Sequence, residues 1–110
     1  MKKASIAVSC ASVLAVGLLA GGNLFAADAA KGKETFESNC SVCHNSDSEE
    51  RKVGPGLKGL FKRAKLANGK KPSDMTVTEM INEGGNGMPS FADILTKDEK
   101  ADLLAFLKTL

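Results

Sequence analysis

The chain contains no tryptophan, no tyrosine and a single histidine, and it has three cysteines, of which Cys10 stands at the extreme amino end. One histidine excludes any site that needs two imidazoles from this chain. With Cys10 set aside, Cys40, Cys43 and His44 are three ligands where tetrahedral zinc takes four. No alternating strand pattern of useful length is present, so a thioredoxin-like dithiol lacks its strand–helix–strand setting. There is no internal repeat and no low-complexity tract. An excess of one charge is missing as well. The 15 basic and 13 acidic side chains leave +2, far from the strongly basic domain that nucleic acid requires.

What is present is concentrated in five residues, Cys40-Ser41-Val42-Cys43-His44. They have the form Cys-x-x-Cys-His that attaches a c-type haem. Two thiols three positions apart can each add to one of the porphyrin's two vinyl groups. The imidazole that follows the second cysteine is then held beneath the iron as its proximal ligand. A simple disulfide would leave His44 without a role. The expected cofactor is therefore one haem c, covalent through two thioethers at Cys40 and Cys43, with His44 on the metal.

The first 26 residues read as a secretory signal. Lys2 and Lys3 precede the uncharged, mostly apolar stretch Ile6–Leu19, and Ala26-Ala27 offers a cleavage point. That stretch is short for a membrane span of about 20 residues. Cleavage after Ala26 leaves residues 27–110 as one small domain of about 84 residues in the periplasm, with no membrane span of its own. Loss of Lys2 and Lys3 brings the bases down to 13, equal to the acids. The charges are unevenly placed: residues 51–71 hold eight bases and no acid. Such a block either solvates a loop or orients docking against an acidic partner.

The coarse expectation for the remainder is all-α, with long loops. Asp28 caps a first helix carrying Gly32, Phe36 and Cys40 on one face. Leu57–Arg63 makes a short helix after the Gly54-Pro55-Gly56 turn. A capping box at Thr76–Glu79 opens a third helix that ends at Gly84-Gly85, and a second box at Thr96–Glu99 opens the last. Leu103, Leu104, Phe106, Leu107 and Leu110 form a wide apolar stripe there. For the iron's other axial position only Met75, Met80 and Met88 remain. Met80 reads as core filler beside Val77 and Ile81, and Met75 stands among polar residues. Met88 follows Gly84-Gly85-Asn86-Gly87 and precedes Pro89, in a loop able to approach a flat macrocycle, and is the expected ligand.

Taken together, Gly32 and Phe36, the Cys40–His44 motif, Val53-Gly54-Pro55-Gly56-Leu57 with Gly59-Leu60-Phe61, Gly87-Met88-Pro89 and the terminal aliphatic helix resemble the class I c-type cytochromes. The resemblance runs from about Ala29 to Leu110. It implies the small cytochrome c fold, three main helices plus a short one wrapped around one covalent haem. It also implies that the Pro55 carbonyl accepts a hydrogen bond from the proximal imidazole, and that the first and last helices cross at Gly32. With no Trp or Tyr to hold a haem propionate, Asn68 or nearby Lys and Arg side chains are the candidates. The implied function is one-electron transfer between a protein donor and a protein acceptor, by a monomer that is not an enzyme. The alternatives are a haem enzyme or sensor with a labile sixth ligand, or a fixed electron-transfer subunit of a larger complex.

Overall fold

A computed structural model describes residues 26–110, so the signal expected over residues 1–26, with Cys10, lies outside the described residues but for Ala26. Among these residues three α-helices follow one another: α1 (Ala29–Asn39), α2 (Asp74–Glu83) and α3 (Lys97–Leu107), with one 3-10 turn at Leu60–Lys62. Among the described residues the one β-type pairing is an isolated bridge between Gly85 and Met88.

Each helix starts where a side chain takes up backbone N–H groups that the helix itself leaves unpaired. Asp28 accepts from the amides of Ala30 (2.9 Å) and Lys31 (3.3 Å), as its sequence position suggests. Thr96 and Glu99 exchange both bonds of the expected capping box, each at 3.1 Å. The start of α2 is different. The cap is Ser73, one turn before the expected box: Ser73 Oγ accepts from the Thr76 amide (3.1 Å) and Thr76 Oγ1 from the Ser73 amide (2.9 Å). Threonine here plays the far partner that glutamate usually plays, because Thr76 is the residue three positions after Ser73; the Glu79 carboxylate instead takes Lys70 at 2.8 Å. The extra turn puts Met75 inside the helix, and it is 79 % exposed.

The short helix expected over Leu57–Arg63 shrinks to three residues. Gly59 is left-handed (φ 70°) and cannot continue a helix. The Arg63 guanidinium then folds back onto the carbonyls of Gly56 (2.6 Å) and Lys58 (2.9 Å).

The helices pack unequally. The main contact is α1 against α3, where Phe36 (2 % exposed) meets Phe106 with ring centroids 5.5 Å apart and tilted by 51°. Leu103, the most buried side chain at 1 % exposed, belongs to the same cluster. The buried Asp102 carboxylate accepts from the Asp28 amide at 2.8 Å and ties the start of α1 to α3. Gly32 is the crossing point. A Cβ there would run into the Asp102 carbonyl and come within 2.9 Å of Phe106 Cβ, so only glycine lets the two backbones meet. Contact between α2 and α3 is sparser and includes an exposed ion pair, Lys108 Nζ to Asp74 Oδ1 at 2.7 Å, worth little by itself.

Since backbone rather than a flexible side chain opposes the added methyl, Gly32→Ala should destabilise the folded protein by about 3 kcal/mol, the upper end for overpacking. Denaturant unfolding measures this as a lower midpoint with unchanged slope. A variant as stable as the parent would place the crossing elsewhere.

Candidate functional site

The end of α1 does not fray into loop; it passes straight into the Cys-x-x-Cys-His segment. The amides of Cys40 and Ser41 both donate to the Phe36 carbonyl (2.8 and 3.0 Å). One more turn follows, with Cys43 and His44 donating to the Cys40 carbonyl at 3.1 and 2.9 Å. Cys40, Cys43 and His44 therefore sit at i, i+3 and i+4 of one helical turn, on neighbouring positions of one face.

That turn borders a cleft of about 310 Å³ whose wall is almost entirely apolar. Cys40, His44, Pro55 and Leu57 form part of it, Val77, Met80 and Ile81 come from α2, Met88 from the loop after α2, and Leu103 and Leu107 from α3. Seven of the nine buried apolar side chains of the core line this cleft. The structure thus gathers Cys40, His44, Pro55 and Met88 around one space, with Cys43 next to His44 in the chain but not on the lining. It brings Met80 to the same wall as well, and leaves Met75 on the outside.

The imidazole of His44 is positioned from two sides. Its Nδ1 lies 2.7 Å from the Pro55 carbonyl oxygen. A carbonyl can only accept, so Nδ1 carries the proton and Nε2 keeps its lone pair. Gly54 lies against the other face of the ring: a Cβ on it would stand 2.5 Å from Cε1 and 2.9 Å from Nδ1. The Gly54 amide also donates to the Cys43 carbonyl at 2.7 Å, so the segment that holds the ring is itself fastened to the motif.

Burial, with a smaller contribution from neighbouring Cys43, pushes the Cys40 thiol up to about 11. Among the described residues no three Cys, His, Asp or Glu side chains gather as a bare metal-ion site. Neutral sulfur beside an apolar cleft and an imidazole with a free Nε2 fit a covalently attached haem.

Sequence patterning did not reach every wall residue. Leu66, Val77, Leu103 and Leu107 line the cleft, whereas Phe91 is buried behind it and Ile94 is 57 % exposed. The basic side chains that reach the wall are Arg63 and Lys65. Asn68 does not; its side-chain oxygen accepts from the Lys70 amide at 3.0 Å. The run of bases pointed to this stretch, but only the fold shows which of them turn inward.

The family described as cytochrome c oxidase, cbb3-type, subunit III matches residues 27–107. The chain belongs to the class I c-type cytochromes. It is 38 % identical to the cytochrome c6 of Leptolyngbya boryana over 66 % of this chain and 81 % of that one. With the cytochrome c6 of Thermostichus vulcanus the identity is 33 %, covering 97 % and 91 %. The solved cytochrome c6 of the diatom Phaeodactylum tricornutum superposes with a TM-score of 0.58 at 25 % identity, over 74 % of this chain and 92 % of that one. As a member of this family the chain carries one covalent c-type haem and has its all-α fold.

Two consequences can be measured. Gly54→Ala pushes the His44 ring off the Pro55 carbonyl, and the variant should incorporate haem poorly, read as lower haem absorbance per protein. Cys40→Ala with Cys43→Ala removes the two thiols expected to attach the haem beside a cleft that most of the core lines, and so small a domain has little core to spare. That apoprotein should be largely unfolded in water. A cooperative thermal transition with native-like helix content would refute this.

Proposed function

We propose that this cytochrome is a periplasmic one-electron carrier, with Cys40 and Cys43 bearing the haem and His44 and Met88 ligating its iron. The observation that carries the reading is the assembly of Cys40, His44 with its Pro55-bound Nδ1, and Met88 on one apolar cleft. When bound, the haem supplies a one-electron Fe(II)/Fe(III) couple.

The chain's own residues shape that couple. Cys40 and Cys43 would hold the haem through two thioethers, each sulfur adding across one vinyl double bond with its hydrogen going to the other carbon. Pro55 holds the imidazole by Nδ1, which fixes the ring orientation and makes Nε2 a better donor. Leu57, Leu60, Leu66, Val77 and Leu103 keep water from the cleft, which favours the less charged ferrous state. A Met88 thioether works in the same direction and raises the potential. With His44 and Met88 both holding the iron, the chain would leave no open position for a substrate, and the role proposed is carriage of an electron and not catalysis.

Met88 is preferred over Met80 because of where each comes from. Met80 belongs to a regular helix and packs with Val77 and Ile81, whereas Met88 is offered by irregular backbone that can move toward a metal. Oxidised protein should show the weak near-red sulfur-to-iron band. Met88→Ala should abolish it and admit carbon monoxide in the reduced state; if Met80→Ala does this instead, the ligand is Met80.

The partners in this reading are a protein donor and a protein acceptor met in brief encounters by a monomer. Within the basic block, Lys52, Arg63 and Lys70 are spent on internal bonds, to the Ser41 carbonyl, the Gly56 and Lys58 carbonyls, and Glu79. Arg51, Lys58, Lys62 and Lys71 are exposed, lie off the cleft and have no ion pair among the described residues. They suit an acidic docking surface. Lys58→Glu with Lys62→Glu should slow bimolecular electron transfer several-fold at low salt, with the haem spectrum unchanged, because exposed charges act over about 8–10 Å. A rate indifferent to salt and to both substitutions would leave the block to solvation.

Export and cleavage after Ala26 complete the proposal; among the described residues no helix is long and apolar enough to cross a membrane. The oxidase-subunit description of the matched family favours one second reading, a permanent place in a larger complex. Size-exclusion chromatography of native extract separates the two: a free carrier elutes at the size of the domain alone.

A further inference from the structure

The loop that carries Met88 is attached to the end of α2 at more points than its connection requires. Gly85 and Met88 pair through both backbone bonds, Gly85 amide to Met88 carbonyl at 2.9 Å and Met88 amide to Gly85 carbonyl at 3.0 Å. Asn86 and Gly87 between them are both left-handed (φ 52° and 89°), the signature of a tight two-residue hairpin turn. Beyond Pro89 the chain returns to the helix. The Phe91 amide donates to the Ile81 carbonyl at 2.9 Å, and the Ser90 hydroxyl donates to the Asn82 carbonyl. Ile81 and Asn82 lie in the last turn of α2, whose carbonyls have no partner within the helix. The loop thus supplies donors that the helix end lacks, and Met88-Pro89 is held from both sides.

One of these bonds comes from a side chain. The others use backbone groups that any residue provides, but the Asn82 bond exists only because residue 90 carries a hydroxyl. Phe91, next to it, is buried in the core, so the far end of the loop has a fixed anchor against which the hydroxyl can act.

We infer that Ser90 is a positioning residue for Met88: its bond to the Asn82 carbonyl clamps the loop closed and sets how readily the sixth ligand leaves. The clamp rests on the assignment of Met88 as that ligand. It gives the chain control over ligand exchange at a residue that touches neither iron nor porphyrin. Breaking one ordinary hydrogen bond shifts an opening equilibrium by about two- to tenfold, and the shift should appear in whatever enters when Met88 departs.

Imidazole binding to the oxidised holoprotein reads this opening directly. Ser90→Ala should bind imidazole about two- to tenfold faster than the parent, while keeping the near-red band in its absence. Ser90→Thr, which retains the hydroxyl, should restore the parental rate. Gly32→Ala serves as the comparison, since it weakens the α1–α3 crossing away from the loop and should leave imidazole entry unchanged. An unaltered rate in Ser90→Ala overturns the clamp. So does an equal acceleration in Gly32→Ala, which would trace the effect to global stability. A parent protein without the near-red band, or one whose band survives Met88→Ala, refutes the ligand assignment itself and the clamp's role with it.

Discussion

The core of this domain closes on a cleft and not on itself. Leu60, Val77, Ile81, Leu103 and their buried neighbours have one side against protein and the other against the same apolar space. A domain of about 84 residues buries a smaller share of its surface than a larger one does, and here much of the available apolar area faces the cleft. In the proposed arrangement a covalently held apolar plate would fill the cleft and complete the core together with the redox centre. Stability and function therefore rest on the same contacts. The α1–α3 crossing, with Phe36 on Phe106 and Gly32 on the Asp102 backbone, is direct protein–protein packing, and Phe36 joins it to the cleft.

The proximal side is built almost wholly from backbone. The last turn of α1 runs into the motif through bonds to the Phe36 and Cys40 carbonyls, so helix geometry spaces the two sulfurs and the imidazole. The loop that follows comes back to supply Pro55 as acceptor and Gly54 as a flat surface for the ring. Proline and glycine suit the two tasks for opposite reasons: one stiffens the chain that offers the carbonyl, the other removes the atom that would strike the ring. The same cleft is lined by Met80, on a helix, and Met88, on a hairpin loop fastened to the end of that helix.

Charge is arranged on the same scaffold. Of the eight bases between residues 51 and 71, three hold loops in place and Arg63 does so while also facing the cleft. The run is therefore not one surface feature but two, a set of internal fasteners and a set of exposed cations.

Sequence alone carried the local chemistry. Cys40, Cys43 and His44 announce covalent haem because the reaction needs those atoms at that spacing, and the scarcity of other ligands leaves them no second use. Asp28, Thr96 and the glycines after α2 mark helix ends because capping is settled by neighbours within four residues. The same logic misplaced the start of α2 by one turn, since Ser73 with Thr76 and Thr76 with Glu79 both have the spacing of a capping box, and it is Ser73 that accepts from the Thr76 amide. Which bases face inward, that Val77 and Leu103 line the cleft while Ile94 lies outside, and that Met80 and Met88 share one wall were decided by tertiary structure. Those facts depend on how loops of irregular backbone return to the helices, and no periodicity along the chain encodes that return.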